Sequence, residues 1–432
     1  MATSAPTPQS SEHNFYSVNN YRSYLALLAD NPQYRRLWLA SVISQLGNWF
    51  NYIAIFVLLT KLTGSGHAVS WFLIAKFIPT TVLGPLAGVM ADRISRKTIL
   101  ICCDAARIFI VLGYLLIDNV DKVWLVYVLA LVQESIWTFY DPAGRASVPN
   151  LCREGELHVA NALSGATWSI MLAVGSALGG LVTALWGWKT AIILDSLTFL
   201  WSTFLLRKLI LPPRKEEQAA KRSFWDYCGV TDIIAGWRYL ADNGRIGAIL
   251  AVKSGWALSG GILVMLTIFG EQVLASGADG GGSGILYSFR GIGAAVGPIL
   301  AWRLLGETDH AMHKAIALAF FLAGFSYMLL SQAPNFLVAA PLVLIGHIGG
   351  SVQWVFSTTL LQKNVPDNFR GRVLAAEMVL FTFILSLSTY FTGAALDMGE
   401  DPRRVMFFLG ALFLVPGLVW TGYLYLLLHK NE

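Results

Sequence analysis

Side chains able to do chemistry are scarce here, so those inside apolar runs stand out. The chain has 432 residues, of which 55% are hydrophobic and 13% charged. Glu134 is the sharpest candidate, about twelve residues into the run 123–142. A carboxylate at membrane depth is costly, so it must be protonated, paired or turned to water. Those demands suit a group that gains and loses a proton during transport, and Glu134 is the proton-coupling candidate. The competing role is a static ion pair with Arg107 or Lys253. Asp104 and Arg107 stand three apart in one run and are expected to pair with each other as a structural ion pair. His347 is by residue type a candidate proton carrier, although a hydrogen-bonded packing role is the favoured reading. Lys76 and Arg290 lie about two turns below one surface and are expected to snorkel towards it. Glu377 and Asp397 are expected to face headgroups.

Polar and aromatic residues share helix faces in four runs. Gln45, Asn48, Trp49 and Tyr52 fall at helical spacing, as do His347, Ser351, Trp354 and Thr358. Gln133, Glu134, Trp137, Tyr140 and Asp141 cluster in a third run, and Lys253 with Trp256 in a fourth. Aromatic walls with a few orienting polar groups suit an amphipathic, ring-containing solute. Hydrogen bonding between packed helices is the plain alternative for each polar member. No catalytic constellation accompanies them. Gly280 to Gly284 is glycine-rich but lacks the Lys-Ser/Thr of a phosphate loop. Cys102, Cys103, Cys152 and Cys228 lack metal-ligand spacing and read as free thiols in a reducing compartment. No basic stretch is dense enough to follow a nucleic acid. Neither cofactor nor metal is expected.

The elements that must position these residues are membrane spans, each needing about 20 mostly apolar residues. Twelve fit: 37–60, 68–90, 98–117, 123–142, 160–186, 189–207, 246–271, 284–305, 314–332, 335–361, 373–396 and 403–428. Placing both ends in the cytoplasm puts twenty-two of the 31 Lys and Arg in inside segments and five in outside loops, as the positive-inside rule requires. The expected division is a cytosolic tail (1–35), a six-helix bundle (36–210), a cytoplasmic linker (211–245) and a second six-helix bundle (246–432). The tail to residue 20 reads as disordered. In the linker, Trp225, Ile233, Trp237 and Leu240 share one face of an expected surface helix. A repeat supports the division: Val148-Pro149-Asn150 recurs as Val365-Pro366-Asp367, and the same offset carries Asp92 to Asp309 and Lys97 to Lys314. Two such halves place a site between them near mid-membrane.

Between the second and third spans lies Gly88-x-x-x-Asp92-Arg93-x-x-Arg96-Lys97. In that place the motif resembles the signature loop of the major facilitator superfamily, G-x-x-x-D-R-x-G-R-[RK], with Ser95 where the family usually has glycine. Tyr34 to Phe50, and the stretch from Val365 through Arg370 and Arg372 to Val373, are similar to the branch of the enterobactin exporter and macrolide efflux proteins. That branch often has an acidic residue where Asn48 stands. The resemblance implies an all-α membrane fold with both termini cytoplasmic and a cavity lined by spans one, four, seven and ten. It gives Gly88, Asp92, Arg93, Arg96, Lys97, Arg370 and Arg372 gating roles, the first turn acting as a latch between the halves.

The expected function is therefore a secondary transporter, not an enzyme. It moves a small amphipathic solute, such as a siderophore or drug-like molecule, by alternating access. Proton-coupled export is the leading form, with H+ as coupling ion and membrane lipids as surroundings. An uptake carrier or a lysophospholipid flippase of the same fold is the first alternative, and a non-transporting membrane sensor the second. A monomer in the inner or plasma membrane is expected.

Overall fold

The structure is a computed structural model. It describes residues 21–429 apart from 154, 212–233, 235–236, 239, 275–276, 278 and 307, with backbone alone at 85, 89, 92, 367–368 and 427–429. Among the described residues no β-strand occurs. The expected linker helix lies largely outside them, and the expected disordered tail entirely so.

Helix α1 (Tyr21–Asp30) precedes the first span, in sequence that reads as tail. Its Leu27 is buried with Tyr34, Val159 and Ala160, so an apolar anchor holds it against the bundle. The N-terminal half then comprises α2 (Pro32–Thr63), α3 (Gly66–Arg93), α4 (Arg96–Gly113), α5 (Val123–Leu151), α6 (Leu157–Ile170) and α7 (Ser176–Arg207). Local chemistry explains the boundaries. Asn31 caps α2 by accepting from the Tyr34 amide, and Pro32 occupies the first turn, where no amide is missed. Gly64 ends α2 in the left-handed region (φ 61°) and Ser65 caps α3, making a tight turn. Ser95 caps α4, which accounts physically for serine in the motif's glycine position.

The stretch Leu157–Arg207 is 51 residues long. A straight helix of that length would reach ~76 Å, more than twice a bilayer core. At Gly187 the backbone leaves helical geometry (φ 81°, ψ 162°), and two helices meet there. Only glycine adopts that conformation at low cost. Among the described residues eleven helical stretches are long and apolar enough to cross a membrane, this broken one counted once.

The C-terminal half comprises α8 (Gly244–Leu258), α9 (Ile262–Ile268), α10 (Gly281–Leu305), α11 (Asp309–Leu330), α12 (Phe336–Asn364), α13 (Asp367–Asp397), α14 (Pro402–Leu412) and α15 (Leu414–His429). Helices α2 to α7 pack mainly on one another and α8 to α15 do likewise. The halves meet where α3 lies on α13 and α7 on α10.

The first of these contacts is uneven along its length. At one end α3 and α13 touch closely: a Cβ added at Gly393 would lie 2.2 Å from Ser70 Oγ, and one at Gly66 would lie 2.5 Å from Leu396. Towards the opposite end a Cβ added at Gly84, Gly88 or Gly371 meets nothing within 4 Å among the described residues. Helices α7 and α10 approach backbone to backbone, with an added Gly180 Cβ 2.8 Å from Gly284 Cα. Polar contacts reinforce the tight end. Asp397 accepts from Ser65 Oγ (2.6 Å) and from the His67 amide (3.3 Å), and Lys61 pairs with Asp279. The halves therefore close at the end bearing the Gly64 turn, while towards the 93–96 turn no described side chain fills the space beside Gly84, Gly88 and Gly371.

Candidate functional site

Three of the four cations at membrane depth have a carboxylate partner. Lys76 on α3 meets Glu134 on α5 at 3.2 Å, both side chains being about one-sixth exposed. The partner of Glu134 is thus neither Arg107 nor Lys253. Arg107 pairs with Asp104 in a fully buried setting, and Asp104 also accepts from Ser202 Oγ at 2.6 Å. The Arg107 guanidinium is further enclosed by the rings of Phe199, Tyr140 and Trp137, at 4.4, 4.7 and 5.3 Å. Lys253 on α8 donates to Glu377 on α13 at 2.7 Å, both buried, and sits 4.5 Å from the Trp354 ring. Glu377 therefore lies inside the bundle instead of facing headgroups. These pairs satisfy what burial of a charge demands.

The fourth cation, Arg290 on α10, is different. Among the described residues no carboxylate lies within 4.0 Å of it, and its Nε is buried without a partner. Its guanidinium is 5.5 Å from the Tyr287 ring centroid. Tyr287 in turn joins the halves, its ring 5.9 Å from both Trp49 and Tyr52 on α2. On the other side of Tyr52 is Lys76, 5.5 Å from that ring. An aromatic bridge between the halves is thus flanked by one paired and one unpaired cation.

The remaining sequence candidates divide by place. Trp49 and Tyr52 belong to the bridge; Asn48, on the same helix, is half-buried. Gln45 donates to Ser41 Oγ one turn earlier. Gln133 is buried and accepts from Tyr114 Oη at 3.2 Å, a bond within the N-terminal half. Trp137 forms a wall of the Arg107 cage. In the C-terminal half, His347 is buried, 3.5 Å from Tyr327 Oη and with its ring 6.3 Å from that of Trp256. Ser351 donates to the carbonyls of Ile348 and Gly293 and holds α12 against α10. Trp354 packs on Phe381 and Lys253.

The gating motif is only partly within reach. Of Asp92 the backbone alone is described. Arg96 donates to the Ala146 and Ala91 carbonyls, tying the 93–96 turn to the end of α5 in the same half. Arg370 donates to the Val365 carbonyl at 3.4 Å and Arg372 lies over Phe369. Asp309, the repeat's counterpart of Asp92, pairs with Lys363 at 3.0 Å.

Three residues carry no spacing signal and emerge from the structure. Tyr287 is the bridge. Glu271 accepts from the amides of Gly280 and Ser283 at 2.8 and 2.9 Å and so caps α10 from a preceding turn. Asp195 is fully buried with Oδ2 unpartnered; a lone carboxylate within an apolar run is the signal that finds it.

Comparison with known proteins agrees with this architecture. Residues 37–389 match the Major Facilitator Superfamily. Macrolide efflux protein A of Streptococcus pyogenes is 24% identical over 346 residues, 78% of this chain and 83% of that one. The putative bacilysin exporter BacE of Bacillus subtilis is 22% identical over 369 residues, 83% of this chain and 88% of that one. The match to the uncharacterized MFS-type transporter YfiS of Bacillus subtilis, 27% identical, spans 46% of this chain and 47% of that protein. In fold, the D323A mutant of nucleoside transporter NupG superposes with a TM-score of 0.73 at 12% identity, covering 90% of this chain and 99% of that one. A bacterial homolog of the human lysosomal transporter Spinster, inward-facing and unoccupied, gives 0.68 at 12% identity over 89% and 95%. With its all-helical two-half fold and a family match over most of its length, the chain belongs to the major facilitator superfamily and is a multi-pass integral membrane protein.

Proposed function

We propose that this protein is a secondary active transporter that exports a small amphipathic molecule across the plasma membrane by alternating access, driven by proton exchange. The observation that carries the reading is the uneven contact between α3 and α13. The helices interlock at Gly66 and Gly393 and leave open space at Gly84, Gly88 and Gly371. Two packed halves hinged in this way give access from one end at a time, which is what a rocking carrier requires. With the arginine-rich turn on the cytoplasmic side, the open end faces the cytoplasm. The solute would enter there and meet the aromatic bridge of Trp49, Tyr52 and Tyr287, whose contacts must part for it to leave.

Proton coupling is assigned to Glu134. It is the partly exposed carboxylate beside the bridge, through Lys76. Protonating Glu134 frees Lys76, and the freed cation disfavours the packed arrangement around Tyr52. Export as the direction draws on the likeness to macrolide efflux protein A and the putative bacilysin exporter.

The test is transport in proteoliposomes with and without an imposed pH gradient, for the native chain and for Glu134→Gln. A pH gradient is expected to speed native transport severalfold and to leave the variant's unchanged. Gradient-driven transport that survives Glu134→Gln in full would reject the coupling role. Accumulation that never responds to a gradient of either sign would reject proton exchange.

A further inference from the structure

Arg290 lacks what the other cations at membrane depth have, which is a carboxylate partner among the described residues. Lys76, Arg107 and Lys253 each have a carboxylate within 4.0 Å, and among the described residues Arg290 has none. Its Nε is buried without a hydrogen-bond partner. It is the tenth residue of α10, roughly 14 Å along a helix long and apolar enough to cross a membrane. A cation at that depth is costly unless something of opposite charge meets it or water reaches it.

Its surroundings fit a solute better than bare water. The guanidinium is 5.5 Å from the centroid of Tyr287, whose hydroxyl is already committed to the Leu263 carbonyl at 2.8 Å. It is close enough to Tyr52, Tyr327 and His347 to act on each electrostatically. A guanidinium presents a planar fork matching a carboxylate or phosphate, and flanking rings cover the apolar part next to such a group.

We propose that Arg290 anchors an oxyanion, a carboxylate or a phosphate, on the transported solute, while the rings of Tyr52 and Tyr287 cover the adjoining apolar part. The solute is then an amphipathic acid or zwitterion. This assignment rests on the carrier reading above and gives that reading a substrate class.

The test uses the full chain in nanodiscs of zwitterionic phosphatidylcholine. Probes come as matched pairs: indole-3-butyrate and 4-phenylbutyrate with their methyl esters, and 1-naphthyl phosphate with 1-naphthol. Binding is read by tryptophan fluorescence and by the shift in melting temperature. The acids are expected to bind the native protein at least tenfold more tightly than their neutral partners. Arg290→Gln should abolish that preference and leave the neutral partners' affinity unchanged, while Arg290→Lys should keep part of it. The ligand-free melting temperature of Arg290→Gln should equal or exceed that of the native protein, because the charge removed is unpaired. Should Arg290→Gln fail to fold, the reduced preference of Arg290→Lys decides.

Equal affinity for acids and esters in the native protein, an undiminished preference in Arg290→Gln, or no binding by any acid would each overturn the proposal. Stabilisation by phosphatidylglycerol nanodiscs that is lost in Arg290→Gln, with none by the soluble acids, would assign the anion to a lipid headgroup and overturn the solute assignment. Counterflow of the same probes separates the two readings. Acids that bind without counterflow reject the carrier and leave the site standing. Counterflow of the esters with none of the acids rejects the site and leaves the carrier.

Discussion

Lys253 and Glu377 come from helices 124 residues apart in sequence, and together they hold α8 to α13. Both are buried, so removing one partner strands a charge in a medium that cannot solvate it. Glu377→Gln is expected to cost on the order of 3 kcal/mol of stability, and Lys253→Met a similar amount. The double replacement Lys253→Met with Glu377→Leu should recover most of it; thermal unfolding of all three in detergent measures the difference. The exposed pair Lys61–Asp279 behaves otherwise. With both side chains about half exposed, Lys61→Ala should change stability by less than about 1 kcal/mol in the same assay. The intramembrane charges other than Asp195 were picked out in the sequence. Their partners were not, apart from Asp104 with Arg107, whose spacing alone puts them on one helix face. Glu134, Lys76, Lys253 and Glu377 come from four different helices, and nothing local says which will face which.

At the scale of elements, glycine placement decides how closely helices approach. Gly180 and Gly284 bring α7 and α10 together so closely that a Cβ on either would fall 2.8 Å from the other's Cα. Gly180→Val should therefore force the tight end apart. The expected readout is a lengthened or broadened distance distribution between spin labels at Asp121 and Met398, which lie on exposed turns of opposite halves at that end. An unchanged distribution would mean that the contact does not hold the end closed. Gly84→Ala meets open space in the present arrangement and should leave the distribution as it is. Asn31, Ser65, Ser95 and Asn335 cap helix starts and Gly64 ends α2, setting helix ends a few residues outside the apolar runs that marked the spans. Helix α1 was not readable as a packed element. Ten residues make no span, and its burial depends on meeting Val159 and Ala160 from more than a hundred residues away.

For the whole molecule, the contact of Ser65 with Asp397 spans the two halves at 2.6 Å. Cysteines at both positions, in a background with the four native cysteines replaced by serine, should cross-link in the resting protein. The link should stop transport, and a reductant should restore it. Transport that continues through a complete cross-link would reject rocking of the halves as the transport movement.

The sequence by itself determined that this is a polytopic helical membrane protein, because apolar length and charge distribution are properties of the chain that a bilayer reads directly. Its motif and repeat pointed to the superfamily for the same reason, being local patterns. Only the tertiary structure decided that Glu134 meets Lys76, that Tyr287 bridges the halves, and that Arg290 alone among the four intramembrane cations has no carboxylate partner among the described residues. Those are relations between helices, set by packing in three dimensions, and no spacing along the chain encodes them.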